Sequence, residues 1–306
     1  AVYHRKDPLW HFTVVGRPPA EDSSFGYLIH QLVEELAGQE FPGLKEINAV
    51  DAAGVHPLLL AVGSERYMPF RDKKPEEILT IANRILGSGQ TSLAKYLWIA
   101  ADSDGPVDTH NIPAFFKHVL ERVQWERDVH FQTNTTIDTL DYSGTGWNAG
   151  SKVVIACCGD KVRSLSKQLP DNLQLPNGFS KPSFYQEGIL CIEGPAFKNY
   201  EEGVKEMTEL CEYLSRSNFE NIPLIIVGNN SEFYSANLNN FVWTTFTRSN
   251  PSHDIYGVHS FTKFKHWGCK GPLVIDARIK PHHAPPLITD KKVAEKVDAL
   301  LTNYNF

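Results

Sequence analysis

Tyr96-Leu97-Trp98-Ile99-Ala100-Ala101, running straight into Asp102-Ser103-Asp104-Gly105, is the stretch on which the fold turns. Six apolar residues without polar alternation leave no solvent face, the pattern of a strand covered on both sides in a parallel sheet. A strand covered twice needs helices on both faces, so the run predicts an α/β fold. Upstream, residues 44–50 and 55–62 read as two strands around Ala52-Ala53-Gly54. Pro75-Glu76-Glu77 then opens a helix through Ile78, Ile81, Ala82, Ile85 and Leu86 to Gly87. Gly87-Ser88-Gly89-Gln90 follows as a hinge, and a helix is predicted over 112–123.

The rest of the chain repeats this plan. Trp147-Asn148-Ala149-Gly150 before Val153-Val154-Ile155 has a counterpart in Trp267-Gly268-Cys269-Lys270 before Leu273-Val274-Ile275, an offset of 120 residues (267 − 147). Leu97-Trp98-Ile99 ahead of Asp102 matches Leu224-Ile225-Ile226 ahead of Asn229-Asn230, and the 112–123 helix matches 238–246. A duplicated βα unit is therefore expected. Between the copies, 165–182 carries Pro170, Pro176, Gly178 and Pro182 and reads as a surface connection.

At the N-terminal end, 9–15 is β-rich and is stopped by Gly16-Arg17-Pro18-Pro19, whose prolines remove backbone donors. Phe25, Leu28, Ile29, Leu32, Val33 and Leu36 then have helical spacing. At the other end, Lys280-Pro281-His282-His283-Ala284-Pro285-Pro286 excludes regular structure, and a short helix follows over 290–301.

Composition narrows the function. A 306-residue chain that is 42% hydrophobic and 22% charged is globular, and a net charge of −6 with no basic cluster excludes general affinity for nucleic acid. No apolar stretch is long enough to span a membrane, and Tyr3-His4-Arg5-Lys6-Asp7 is no signal peptide, so a cytoplasmic protein is expected, with a peripheral position at the membrane as the alternative. The chain starts without Met and holds only Met68 and Met207, so it reads as a piece of a longer protein.

The motifs that carry chemistry are weak. Cys157, Cys158, Cys191, Cys211 and Cys269 form neither a C-x-x-C pair nor an even set, so buried thiols are expected. The twelve histidines include no helical i,i+4 pair, so they are not read as metal ligands. Gly87-Ser88-Gly89 follows a helix instead of a strand and lacks the third glycine of a dinucleotide fingerprint. Asp102, Asp104 and Asp108 miss the calcium-loop spacing and read as strand-end caps for the next helix.

A family resemblance adds what these residues do not. Tyr3-His4-Arg5-Lys6-Asp7-Pro8, 13–22, Ser92 through Ile99, and Phe241-Val242-Trp243-Thr244-Thr245-Phe246-Thr247-Arg248-Ser249-Asn250-Pro251 are similar to stretches of the UbiD family of prenylated-flavin-dependent carboxy-lyases, specifically its C-terminal half. The resemblance implies the end of a split β-barrel flavin-binding domain over 1–90 and a duplicated α/β C-terminal oligomerisation domain over 91–306, with halves of about 91–182 and 183–306. It implies decarboxylation of an aromatic carboxylic acid of hydroxybenzoate type in quinone biosynthesis. The implied cofactors are prenylated FMN with Mn2+ and K+, the flavin stabilising the carbanion left by carbon dioxide while a carboxylic acid supplies a proton. A homo-oligomer and a flavin prenyltransferase as cofactor supplier follow from the same likeness.

The family's E-G-P-F-G-[ED] motif is absent from the sequence, so no catalytic or metal residue carries over and the piece alone is expected to be inactive. The cofactor-binding candidates are Arg17, Pro18 and Pro19, in a loop that approaches the flavin in relatives, and Lys95, matching a family lysine near it. A rigid turn and a strand-edge lysine are the structural alternatives. A non-catalytic scaffold that keeps the UbiD fold is the competing function.

Overall fold

The computed structural model describes residues 39–65, 70, 72–171, 173–283 and 290–304. Two five-stranded mixed sheets organise them. In the first, β1 (Leu44–Ala49), β2 (Leu58–Gly63), β3 (Tyr96–Ala101), β4 (Val129–Thr135) and β5 (Gly150–Cys157) are ordered β1-β2-β3-β5-β4. β2, β3 and β5 are parallel, and the edge strands β1 and β4 run antiparallel to them. Every residue of β3 is buried, as its uninterrupted apolar run requires.

The second sheet holds β6 (Ser180–Gln186), β7 (Ile189–Glu193), β8 (Leu224–Gly228), β9 (Ile255–Gly257) and β12 (Leu273–Asp276), ordered β6-β7-β8-β12-β9. Its strand directions repeat those of the first: three parallel central strands between two antiparallel edges. The offset of 120 residues joins equivalent rungs, because Val153 faces Tyr96 in one sheet and Leu273 faces Leu224 in the other. β10 (Ser260–Lys263) and β11 (His266–Cys269) form a separate hairpin.

Helices α1 (Glu77–Leu86) and α2 (Ile112–Leu120) cover opposite faces of the first sheet, and α3 (Tyr200–Leu214) and α5 (Leu238–Thr247) opposite faces of the second. The short α4 (Ser231–Ser235) and α6 (Pro251–Asp254) flank α5, and α7 (Lys291–Tyr304) ends the described chain. Asparagines start four of these helices: Asn111, Asn199, Asn230 and Asn237 each accept a backbone N–H from the first turn. α1 is capped from a distance, the Glu65 carboxylate accepting the N–H groups of Glu77 at 2.9 Å and Ile78 at 3.1 Å. Thus Asn111, and none of the aspartates expected to do so, caps α2; Asp102 accepts from Ser64 and Asp104 pairs with Lys73.

α2 and α5 meet between the sheets. Phe116 of α2 stacks on Phe246 of α5 at 6.2 Å and meets Trp98 of β3 edge-on at 5.1 Å, while Tyr96 meets Phe246 at 5.0 Å. One apolar core therefore continues from the inner face of the first sheet to that of the second.

Two boundaries depart from expectation. The boundary expected at residue 90 falls between β2 and β3, which are paired from Leu58↔Tyr96 to Gly63↔Ala101, so the first sheet crosses it. The connection over 165–182 gives way to strand at Ser180, and Pro182 sits inside β6. An edge strand tolerates that proline because the register shifts between Ser180 and Ser183. The strand expected over 9–15 and the helix after it lie outside the described residues.

Candidate functional site: a polar seam and a groove between the sheets

Lys95 enters β3 with its backbone committed on both sides: its N–H donates to the His56 carbonyl at 3.0 Å and its carbonyl accepts from Val153 at 3.0 Å. The side chain is 1% exposed. Its ammonium lies 2.7 Å from Asp141 Oδ2 and donates to Ser143 Oγ at 2.5 Å. Ser143 in turn donates its N–H and hydroxyl to Asp141 Oδ1 at 2.8 and 2.5 Å. Burial pulls the Lys95 pKa down, and the neighbouring Asp141 charge opposes that pull.

Polar groups continue from here toward the second sheet. The Tyr96 hydroxyl meets Ser249 Oγ at 2.7 Å, and Asn250 Oδ1 accepts from both the hydroxyl and the N–H of Ser151. The Asn250 N–H donates to Asp254 Oδ2 at 2.6 Å, and Lys280 Nζ stands 3.3 Å from Asp254 Oδ1. Lys280 also donates to the carbonyls of Asp276 at 3.0 Å and Arg248 at 3.1 Å. Burial pushes the Asp254 carboxyl up to about 7 against the lowering effect of Lys280. Farther on, the Arg278 guanidinium grips Asp276 at 2.9 and 2.8 Å and reaches Glu206 at 2.5 Å. Every carboxylate of the seam thus faces a buried cation, the arrangement that keeps charge tolerable away from water.

Beside the seam a groove of ≈ 670 Å3 opens between β4, the α6–β9 corner and the β10–β11 hairpin. Ser252 belongs to both, since it lines the groove while its N–H donates to Ser151 Oγ at 2.8 Å. The walls are His130 and Phe131 of β4 and Phe264, His266 and Trp267 of the hairpin. Phe131 and Trp267 meet edge-on at 5.5 Å, and the two imidazoles lie 5.4 Å apart. The hairpin is held against the first sheet by His266 Nε2 on the Glu126 carbonyl at 3.0 Å and by close backbone approach at Gly268.

Among the described residues no group of three His, Cys, Asp or Glu could hold a metal ion. Lys95 Nζ is committed to Asp141 and Ser143 in the interior, and the seam carboxylates to lysine or arginine. Arg17, Pro18 and Pro19 lie outside the described residues. All five cysteines are unbridged, and burial raises their thiols. Sequence reasoning missed Asp141, Asp254 and Lys280 as partners. Only folding brings 95 to 141 and 254 to 280, and no local pattern announces either pair.

Two mixed sheets joined through a shared helical core define this as an α/β protein. Residues 23–157 match the family model of the 3-octaprenyl-4-hydroxybenzoate carboxy-lyase C-terminal domain. An uncharacterized protein of Chlamydia trachomatis is 32% identical over 304 residues, which is 99% of this chain and 49% of that relative. A Chlamydia pneumoniae protein, named as one of the subunits of a 4-hydroxybenzoate decarboxylase, is 31% identical over 300 residues, 97% of this chain and 47% of the relative. The solved vanillic acid decarboxylase of Sedimentibacter hydroxybenzoicus in open form overlays with a TM-score of 0.34 at 16% identity, covering 58% of this chain and 32% of that one. Residues 23–157 thus carry the UbiD C-terminal domain. It spans about half the length of the curated relatives it matches. Among the described residues no helix is long and apolar enough to cross a membrane.

Proposed function

We propose that this chain is the C-terminal part of a carboxy-lyase that decarboxylates an aromatic acid of hydroxybenzoate type in quinone biosynthesis, with prenylated FMN, Mn2+ and K+ bound by the enzyme as a whole. Its own part is to support and assemble the enzyme as a homo-oligomer, in the cytoplasm, with a flavin prenyltransferase supplying the cofactor. The match of residues 23–157 to a carboxy-lyase C-terminal domain carries this reading. The seam supports the division of labour, because its carboxylates are held in the interior against lysine or arginine instead of facing an open site. Lys95 then acts as a structural anchor, and Arg17, Pro18 and Pro19 are the proposed contacts to the cofactor. The similar sheets reflect duplication of one unit.

The test is decarboxylation of 4-hydroxybenzoate and related aromatic acids with prenylated FMN, Mn2+ and K+, for the 306-residue chain and for the chain preceded by the other half of a relative. Turnover confined to the longer protein is the expected result. Turnover by the 306-residue chain overturns the supporting role, and silence in both overturns the assigned reaction.

A further inference from the structure

The groove between β4 and the β10–β11 hairpin is built from features that the supporting role does not use. Its volume of ≈ 670 Å3 lies within the range of small-molecule pockets, about 300–1,000 Å3. Its lining contains aromatic faces, two imidazoles and one lysine but no acidic side chain. Lys265 has no ion-pair partner among the described residues, and Nε2 of His130 is buried without a hydrogen-bond partner there. A buried ring nitrogen left unsatisfied is costly, and a ligand hydroxyl would relieve it. Burial and the neighbouring His266 hold the His130 pKa down to about 4, so that imidazole is neutral near pH 7.

The hairpin tip carries an independent sign. Phe264 and Lys265 form its two-residue turn with φ of 51° and 65°. Both positions need the left-handed conformation for which Asn-Gly is the usual choice, so a phenylalanine and a lysine are held there against their preference. Phe264 is also 94% exposed at the groove's mouth. The strained turn thus sets Phe264 and Lys265 at the lip of an aromatic-walled groove.

We propose that this groove binds a small planar aromatic anion, its ring against Trp267, Phe131 and Phe264, its charge on Lys265, and a ring hydroxyl on His130 Nε2. This site is separate from Lys95 and does not rest on the carboxy-lyase reading. Aryl carboxylates and aryl phosphates share the chemistry, and their relative affinities tell them apart.

The 306-residue chain is titrated with benzoate, phenyl phosphate and neutral benzamide by calorimetry. Both anions should bind saturably, and benzamide about fivefold more weakly, the factor expected of one solvent-exposed charge contact. Lys265→Asn keeps a residue that tolerates positive φ, so the turn survives while the preference for the anions should vanish. Trp267→Ala should weaken all three probes. Tighter phenyl phosphate identifies an aryl phosphate site, and tighter benzoate an aryl carboxylate site. No saturable binding, equal binding of benzamide, or an anion preference that survives Lys265→Asn overturns the proposal.

Discussion

Replacing Asp141 by asparagine isolates the charge of the Lys95 pair while keeping its shape. Lys95 and Asp141 are 1% and 5% exposed, so water cannot take over the ammonium once its counter-charge is gone. Breaking a buried ion pair from one side costs about 3–5 kcal/mol. The lower end applies here, about 3 kcal/mol, because Ser143 still accepts from Lys95 and an asparagine oxygen can still accept from Ser143. The sign with pH follows from the depressed Lys95 pKa. The unfolded lysine holds its proton to about 10.5 while the folded one releases it earlier, so stability rises with pH across that interval. Loss of Asp141 depresses the folded value further, and the deficit of Asp141→Asn should shrink between pH 7 and pH 10. Urea titration at both pH values measures this. Lys95→Met combined with Asp141→Leu should regain most of the loss, since two apolar residues leave no stranded charge. A deficit below about 1 kcal/mol, the level of a surface pair, a deficit that grows with pH, or a double variant no better than the single one would refute the buried-pair reasoning.

Three further outcomes are expected. Asp254 should titrate near 7 by carboxyl NMR; since its folded pKa is raised from 3.8, its contribution to stability is complete below pH 4 and is lost as pH climbs through about 7. Phe116→Ala, which removes the ring touching Trp98, Phe241 and Phe246, should cost about 3–5 kcal/mol in urea unfolding. Gly268→Ala would place a Cβ 2.9 Å from the backbone of Trp125 and Glu126; it should cost about 1–3 kcal/mol and raise hydrogen exchange in the β10–β11 hairpin, whereas unchanged exchange would mean the close approach is not required.

Legibility followed locality. The apolar run 96–101 coincided with β3 to the residue, and the predicted strand at 44–50 and the helices near 77–86, 112–123 and 238–246 appear within a few residues of their predicted ends. Each of those signals is written within one element. The hairpin at 260–269 went unread because its turn is Phe264-Lys265 where a turn-former was to be expected, and β4 because His130, Gln132 and Asn134 dilute its apolar pattern. β6 was hidden by Pro182, whose missing donor is harmless only on an edge with shifted register. At the site, Lys95 could be singled out by resemblance, but its burial and its partner could not, since 46 residues separate it from Asp141 (141 − 95) and burial is a property of the assembled sheet.

The aromatic junction of Phe116, Phe241 and Phe246 also governs how the molecule comes apart. Each sheet packs its inner face against the core that α2 and α5 share, so neither should melt while the other stays whole. Unfolding should proceed as one cooperative event across 44–276, with no half-molecule persisting as a stable intermediate. Nicking the chain in the irregular stretch near residue 170 should accordingly yield two pieces that remain associated and denature together.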